Sequence, residues 1–212
     1  ALAIKMRSAL YWGDYQRAKE AAQTIIDLKQ YSLENDYSNM FKVSGQDSKE
    51  IILAIQYVTN TKSLYTVGQM YNNGDGGWSS IVPTENLIDE YEMSNGLTKD
   101  EDGSGYDATH PFAGRDPRMA MTVIYPGCVF NGNIVNTLDK TINGTKYPNY
   151  PTNADNSSRT ALSWRKYLDP INQYTGGIWN TNCCPIVFRY AEVLLTWAEA
   201  ENELNGPSDA VY

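Results

Sequence analysis

Aromatic rings set among amides and carboxylates are the residues of this sequence best equipped to recognise a ligand. Residues 68–80 (GQMYNNGDGGWSS) form a glycine-rich stretch carrying Tyr71 and Trp78 beside Asn72, Asn73 and Asp75. A second set, Tyr147, Tyr150, Trp164, Tyr174 and Trp179, is spread through polar, turn-rich sequence over residues 145–180. Sixteen Tyr and five Trp against four Phe mean that most rings carry a polar handle. Such a ring packs by one part and hydrogen-bonds by another, which suits a half-wet surface. The competing reading of any one of them is a ring that caps the edge of the core.

Other chemistries find little to work with. His110 is the single histidine, which removes most metal-site and triad arrangements. Cys128 and the vicinal pair Cys183-Cys184 lack the C-x-x-C spacing or Cys/His grouping of a zinc site. A disulfide from Cys128 to one of the pair would leave an odd thiol, so free cysteines are the expectation. Asp100-Glu101-Asp102-Gly103-Ser104-Gly105 invites a calcium reading, but an EF-hand loop needs a bidentate Glu at its twelfth position, where Pro111 stands. A calcium site of another kind stays open, and no cofactor is expected. Glu199 and Glu203 have the i, i+4 spacing of a carboxylate pair, against which stands the plainer reading of a solvated helix face.

Seventeen basic against 25 acidic residues give a net charge of −8. A nucleic-acid binder needs a basic stripe to displace counterions from phosphate, and no Lys/Arg cluster exists. An anionic membrane surface is disfavoured for the same reason. No apolar run approaches the ~20 residues of a spanning helix. The chain opens on Ala1, without Met and already inside a helical pattern. The expectation is an internal piece of a longer protein.

The elements that must position these residues follow from periodicity. Leu2, Met6, Ala9 and Leu10 recur at helical spacing, Gly13-Asp14 interrupts, and Ala18, Ala21, Ala22, Ile25 and Ile26 resume it. Residues 1–12 and 15–29 therefore read as a helical hairpin, with alanines that let the two helices approach closely. Gly13-x-Tyr15-x-x-Ala18 resembles the turn of a tetratricopeptide (TPR) repeat. Glu50–Val58 is β-branched-rich and reads as a buried strand. Pro83–Tyr91 suggests a short helix capped by Thr84. Arg115-Asp116-Pro117-Arg118 reads as a turn stapled by charge-assisted bonds, leading into a strand over Met119–Tyr125. Residues 126–160 read as loop, and Trp164–Tyr167 as a short strand. A long helix is expected over 186–204, ended by Gly206-Pro207, with Ser208-Asp209 capping a next helix. The fold class expected is mostly α. It is a TPR-like scaffold (1–29 and 186–212) around a large irregular α+β insertion (30–185) carrying short strands and the candidate binding loops.

The run Arg189-Tyr190-Ala191-Glu192-Val193-Leu194-Leu195-x-x-Ala198-Glu199-Ala200-x-Asn202-Glu203 resembles the most typical helix of the SusD/RagB family. Three further segments fit in the expected order: Gly13-Asp14-Tyr15 with Ala18, Tyr31-x-Leu33 and Tyr37-x-x-Met40-Phe41; then Ser48-x-Glu50-Ile51-Ile52-x-Ala54-Ile55; then Arg115-Asp116-Pro117-Arg118. The resemblance covers nearly the whole chain. It implies a surface-exposed outer-membrane lipoprotein of Bacteroidetes-type bacteria, tethered by a lipid anchor outside this segment. It implies a partner, a TonB-dependent outer-membrane transporter, and a role in capturing oligosaccharide or polysaccharide for it.

With that role in view, the aromatic loops acquire a specific chemistry. Flat rings stack on the C–H faces of pyranoses, and planar amides and carboxylates hydrogen-bond the hydroxyls. A stacking ring is worth ~1 kcal/mol, by analogy with aromatic pairs. The glycan-binding candidates are Trp78, Tyr71, Asn73, Asp75, Trp164, Trp179, Tyr174, Tyr147 and Tyr150. Arg189, Glu192, Arg115, Asp116 and Arg118 are read as structural, with Arg189 and Glu192 pairing at i, i+3 or bonding backbone. Trp197 follows the helix's apolar pattern and is expected to pack. Catalytic residues are not expected. A glycoside hydrolase would need two carboxylates ~5–9.5 Å apart, one in a cleft that raises its pKa, and no such pair stands out. A TPR adaptor for peptides would carry tandem repeats of ~34 residues, which the long insertion interrupts.

Overall fold

The computed structural model describes residues 1–153 and 155–208. In chain order the helices are α1 (Leu2–Trp12), α2 (Tyr15–Asp27), α3 (Tyr37–Met40), α4 (Thr66–Met70), α5 (Glu85–Asp89), α6 (Pro117–Thr122) and α7 (Tyr190–Asn205). The strands are β1 (Ile51–Ala54), β2 (Val123–Ile124), β3 (Val129–Phe130), β4 (Asn133–Ile134), β5 (Thr141–Ile142), β6 (Thr145–Lys146), β7 (Ser163–Trp164) and β8 (Ile186–Arg189). They divide between two compact units, whose described residues are Ala1–Met40, Ser44–Gln56 and 184–208 in one, and Phe41–Val43 and the described part of Tyr57–Cys183 in the other. The helical unit thus takes in most of residues 30–56, which the sequence had grouped with the insertion.

In the helical unit, α1 and α2 form the hairpin that the alanine pattern requires. Gly13 adopts φ 77°, a left-handed conformation that a Cβ would strain, and closes α1. Asp14 then caps α2 by accepting the Arg17 N–H at 3.1 Å. The hairpin packs on α7 through Ala9, Ala18 and Ala200 at one level. Ala3, Met6, Ala21, Ala22, Ile25, Phe188 and Val193 pack at another. Alanines at the crossing remove the side-chain bulk that would hold the helices apart.

The long helix starts later than its periodicity predicts. Ile186–Arg189 is extended and pairs antiparallel with β1, matching Ile51 to Arg189 and Ala54 to Ile186. Three of these four residues are β-branched or aromatic, and a waiting partner strand outweighs the continuing apolar pattern. β1 is half-buried rather than fully buried, and Leu53 is exposed. Arg189 and Glu192 do not pair with each other. The Arg7 guanidinium on α1 donates twice to the Glu192 carboxylate at 2.6 Å and lies 3.8 Å above the Phe188 ring, while Arg189 pairs with Glu50 at 2.7 Å. Lys19 closes a third ion pair, to Glu201 on α7. Gly206 ends α7 at φ 79°. The cap expected at Ser208-Asp209 falls at Asp209, outside the described residues.

The second unit is mostly loop, held by two cores. Val67, Tyr71, Ile124, Phe130, Leu168, Tyr174, Ile178 and Cys183 form one; Ile88, Met119, Val123 and Leu162 form the other. The strand expected over Met119–Tyr125 is a helix for most of its length. Asp116 accepts the Arg118 N–H at 2.8 Å, Pro117 stands in the first turn, and this start signal nucleates α6. Only Val123–Ile124 remain as strand, opposite Ser163–Trp164, so the strand expected over Trp164–Tyr167 is shifted and shorter. The stretch 126–160, expected as loop, holds two small hairpins, β3–β4 and β5–β6. Thr84 stands at the start of α5, but its side chain makes no capping bond. Cys128, Cys183 and Cys184 form no disulfide among the described residues. No helix among the described residues is long and apolar enough to cross a membrane.

Candidate functional site

Within the loop-rich unit, α4 and the segment after it bring Trp78 onto Trp179. The chain leaves α4 at Tyr71, turns through Asn73–Asp75 and folds back along the helix. Trp78 N–H then reaches the Gly68 carbonyl at 3.0 Å and Ser79 N–H the Tyr71 carbonyl at 3.0 Å. Asn72 fixes the turn by accepting the Asp75 N–H at 2.9 Å and donating to its carboxylate at 2.7 Å. Gly77 meets the Tyr71 backbone so closely that any Cβ there would overlap it.

A second set of ties comes from Pro148, Asn149 and Asn156. Asn149 accepts the Gly74 N–H at 2.7 Å, Asn73 donates to the Pro148 carbonyl at 3.2 Å, and Asn156 donates to the Gly77 carbonyl at 3.2 Å. These amides hold the loop's backbone; Asn72, Asn73 and Asp75 are engaged in its architecture.

Trp179 is fixed from the other side. Ile178 is buried, Thr181 bonds Leu64 through both backbone and hydroxyl, and the Asn180 side chain accepts the Asn60 backbone N–H while its amide donates to the Asn60 side-chain oxygen. The Trp179 ring lies directly on Gly68, where a Cβ would run into it. Trp78 packs on Trp179 with ring centroids 4.8 Å apart and planes inclined at 57°. Trp78 remains 54% exposed, while Trp179 is half-buried. The result is an open indole backed by a second indole on a glycine floor, a rigid apolar surface inside polar loops.

The structure separates the other candidates. Tyr71 is fully buried, its hydroxyl donating to the Asp169 carbonyl. Tyr174 is buried beside it and accepts the Asp169 N–H at 2.7 Å. Burial pushes both phenols well above the ordinary tyrosine pKa. Neither ring has a face to offer a ligand, which corrects their reading as contact residues. Their alternation with Gly and Asn resembled a binding loop, but the polar handle of each ring satisfies core backbone instead. Tyr147, Tyr150 and Trp164 are half-buried, Trp164 on β7 opposite Val123. No local pattern marks Gly68 as the floor under Trp179, or Asn149 and Asn156 as the side chains that hold the loop.

The charged residues read as structural sit at framework positions. Arg115 is buried and donates to the carbonyls of Ile88, Tyr91 and Pro111, closing the C-terminal end of α5. Asp116 caps α6 and pairs with the Arg118 guanidinium, which holds its carboxyl below the usual range. Asp107 bonds the His110 ring at 2.8 Å, and this bond, with those from Thr109, lowers the Asp107 pKa to about 2. Glu199 and Glu203 are exposed on α7. No group of three His, Cys, Asp or Glu side chains among the described residues could hold a metal ion.

The sequence profile of the SusD family matches residues 49–212, and the chain belongs to that family. It is 27% identical to the SusD-like protein P25 of Formosa agariphila over 93% of this chain and 36% of that one. A SusD-like carbohydrate binding protein from Bacteroides fragilis superposes with a TM-score of 0.82 at 27% identity, over 99% of this chain and 41% of that structure. A second SusD-like protein of Bacteroides fragilis superposes with a TM-score of 0.73 at 24% identity, over 99% of this chain and 44% of that one. The chain spans less than half the length of each. It has the SusD-like fold, helices with some short strands.

Proposed function

We propose that this chain is part of a cell-surface subunit that binds glycan for uptake and hands it, uncut, to a TonB-dependent outer-membrane transporter. The helical unit serves as a TPR-like scaffold. The loop-rich unit, inserted between its pieces, carries the sugar-contacting face. A lipid anchor outside this segment tethers the protein to the outer membrane.

The observation that carries the reading is the Trp78–Trp179 platform. An indole held open on a fixed floor loses little freedom when a pyranose stacks on it, so most of the contact energy appears as affinity. Family membership supports the same role, and so does the carbohydrate binding named for the Bacteroides fragilis relative. One such ring gives weak binding, so affinity arises from several contacts along a chain of sugars.

The test uses the full-length protein in native gels cast with plant and host polysaccharides, alongside a reducing-end assay of the same mixtures. Retardation in at least one gel without new reducing ends is the expected result. Turnover abolished by changing a single carboxylate would replace this reading with a hydrolase.

A further inference from the structure

The loop-rich unit also contains a pocket of about 630 Å³ lined by none of the residues of the tryptophan platform. Its wall is a stacked pair, Phe112 and Tyr125, with centroids 4.7 Å apart and planes inclined at 23°. Ile88 and Leu162, both buried, belong to the core cluster against which Phe112 and Tyr125 pack. Glu85, Thr109 and His110 add polar groups to this apolar lining. A mostly apolar concavity of this size with a few convergent polar groups is the usual form of a small-ligand site.

Two features make the pocket a built one. Arg115 lines it, is only 6% exposed, and fastens the carbonyls of Ile88, Tyr91 and Pro111, so the α5 end and the 111–115 turn are fixed before any ligand arrives. Its Nε is buried and has no hydrogen-bond partner among the described residues, so the guanidinium serves the pocket through the walls it fastens. His110 is likewise oriented, by the Asp107 carboxylate at 2.8 Å.

We infer that this pocket is a second carbohydrate site, taking a neutral sugar of one or two rings as a chain end or branch. The aromatic wall offers an apolar face to a pyranose, and Glu85, Thr109 and His110 can exchange hydrogen bonds with its hydroxyls. Glu85 and Asp89 in the lining and Asp107 behind His110 outnumber the cations there, Arg115 and the Lys99 ammonium that pairs with Asp89 at 3.1 Å, and this balance disfavours an anionic ring. The inference rests on the glycan-binding reading above. It adds a contact that would let one polysaccharide engage the protein at two places.

Saturation-transfer NMR on the full-length protein tests it, with methyl glucoside, galactoside, mannoside and xyloside as probes and methyl glucuronide as the acidic control. At least one neutral glycoside is expected to receive saturation. Ala113→Trp, an exposed lining position where a large ring fills the mouth, and Glu85→Gln should each weaken that signal about tenfold. Leu195→Ala, an exposed position on α7 outside both the pocket and the platform, should leave it in place. A signal lost in Trp78→Ala and kept in Ala113→Trp overturns the pocket but upholds the platform. Silence from all four neutral probes, with gels still retarded by polysaccharide, also overturns the pocket alone. A preference for the glucuronide overturns the neutral class. Silence in both NMR and gels removes the pocket and the glycan reading together.

Discussion

Arg189 and Glu50 meet at 2.7 Å across the β1–β8 pair, and the same Glu50 carboxylate accepts the Glu34 N–H at 2.7 Å. Glu50 is 3% exposed, so one buried carboxylate ties the strand leading into α7 to the chain that follows α2. Glu50→Ala leaves the Arg189 charge and the Glu34 N–H unpartnered. Breaking a fully buried pair costs roughly 3–5 kcal/mol. Because Arg189 is partly in water, the expected loss is about 2–3 kcal/mol. Urea unfolding of the variant should show it as a lower midpoint at unchanged slope.

Trp197 gives a smaller effect than its helical position alone suggests. Its ring is half-buried on α7, with the Lys19 ammonium 5.7 Å from the ring centroid and its indole N–H buried without a partner among the described residues. Full burial would make Trp197→Ala cost about 3–5 kcal/mol. Partial burial and an unmet donor reduce this to about 2 kcal/mol. Thermal melts read the difference, and glycan retardation should be unchanged.

Gly68→Ala tests whether the platform depends on its floor. The added methyl meets the Trp179 ring, so the indole must shift and carry Trp78 with it. Overpacking of this kind costs about 1–3 kcal/mol. Retardation on a polysaccharide gel should fall as far as in Trp179→Ala, although Gly68 itself has no side chain to touch a sugar.

Tyr71 and Tyr174 give a pH signature. Burial is the main cause that raises both phenols, so their folded pKa values lie above the unfolded value near 10. Stability from these protonated phenols is complete below that value and is lost as pH rises past it toward the folded pKa. A near-UV titration should show at least two of the sixteen tyrosines missing from the ordinary wave and ionising only as the protein unfolds, with Tyr125, which burial also raises, trailing the rest. Sixteen tyrosines in one reversible wave would contradict the buried positions assigned to them.

The helical framework was legible because its signals are local. Alanine spacing, Gly13-Asp14 and the run from Arg189 to Glu203 each carry their meaning within a few turns. Where a distant partner decides, the pattern misleads. Ile186–Arg189 continues a helical pattern but is claimed by β1, and the Asp116-Pro117 start signal overrides the strand-like residues after it. The loop aromatics show the same division. Tyr71 and Trp78 sit in one glycine-rich stretch, yet one is core and the other half in water. What separates them is Asp169, which bonds Tyr71, and Trp179, which backs Trp78, both about a hundred positions away. No spacing rule within the loop encodes either contact.

The most direct test of the account is affinity electrophoresis of full-length Trp78→Ala and Trp179→Ala, each paired with a thermal melt, on a polysaccharide that retards the parent protein. Both variants are expected to lose most of the retardation. Trp78→Ala should keep the parent's melting temperature, and Trp179→Ala should lower it modestly, since its ring also covers Gly68. Retardation unchanged in both, with both proteins folded, would contradict the claim that the paired tryptophans are the glycan-binding surface of this chain.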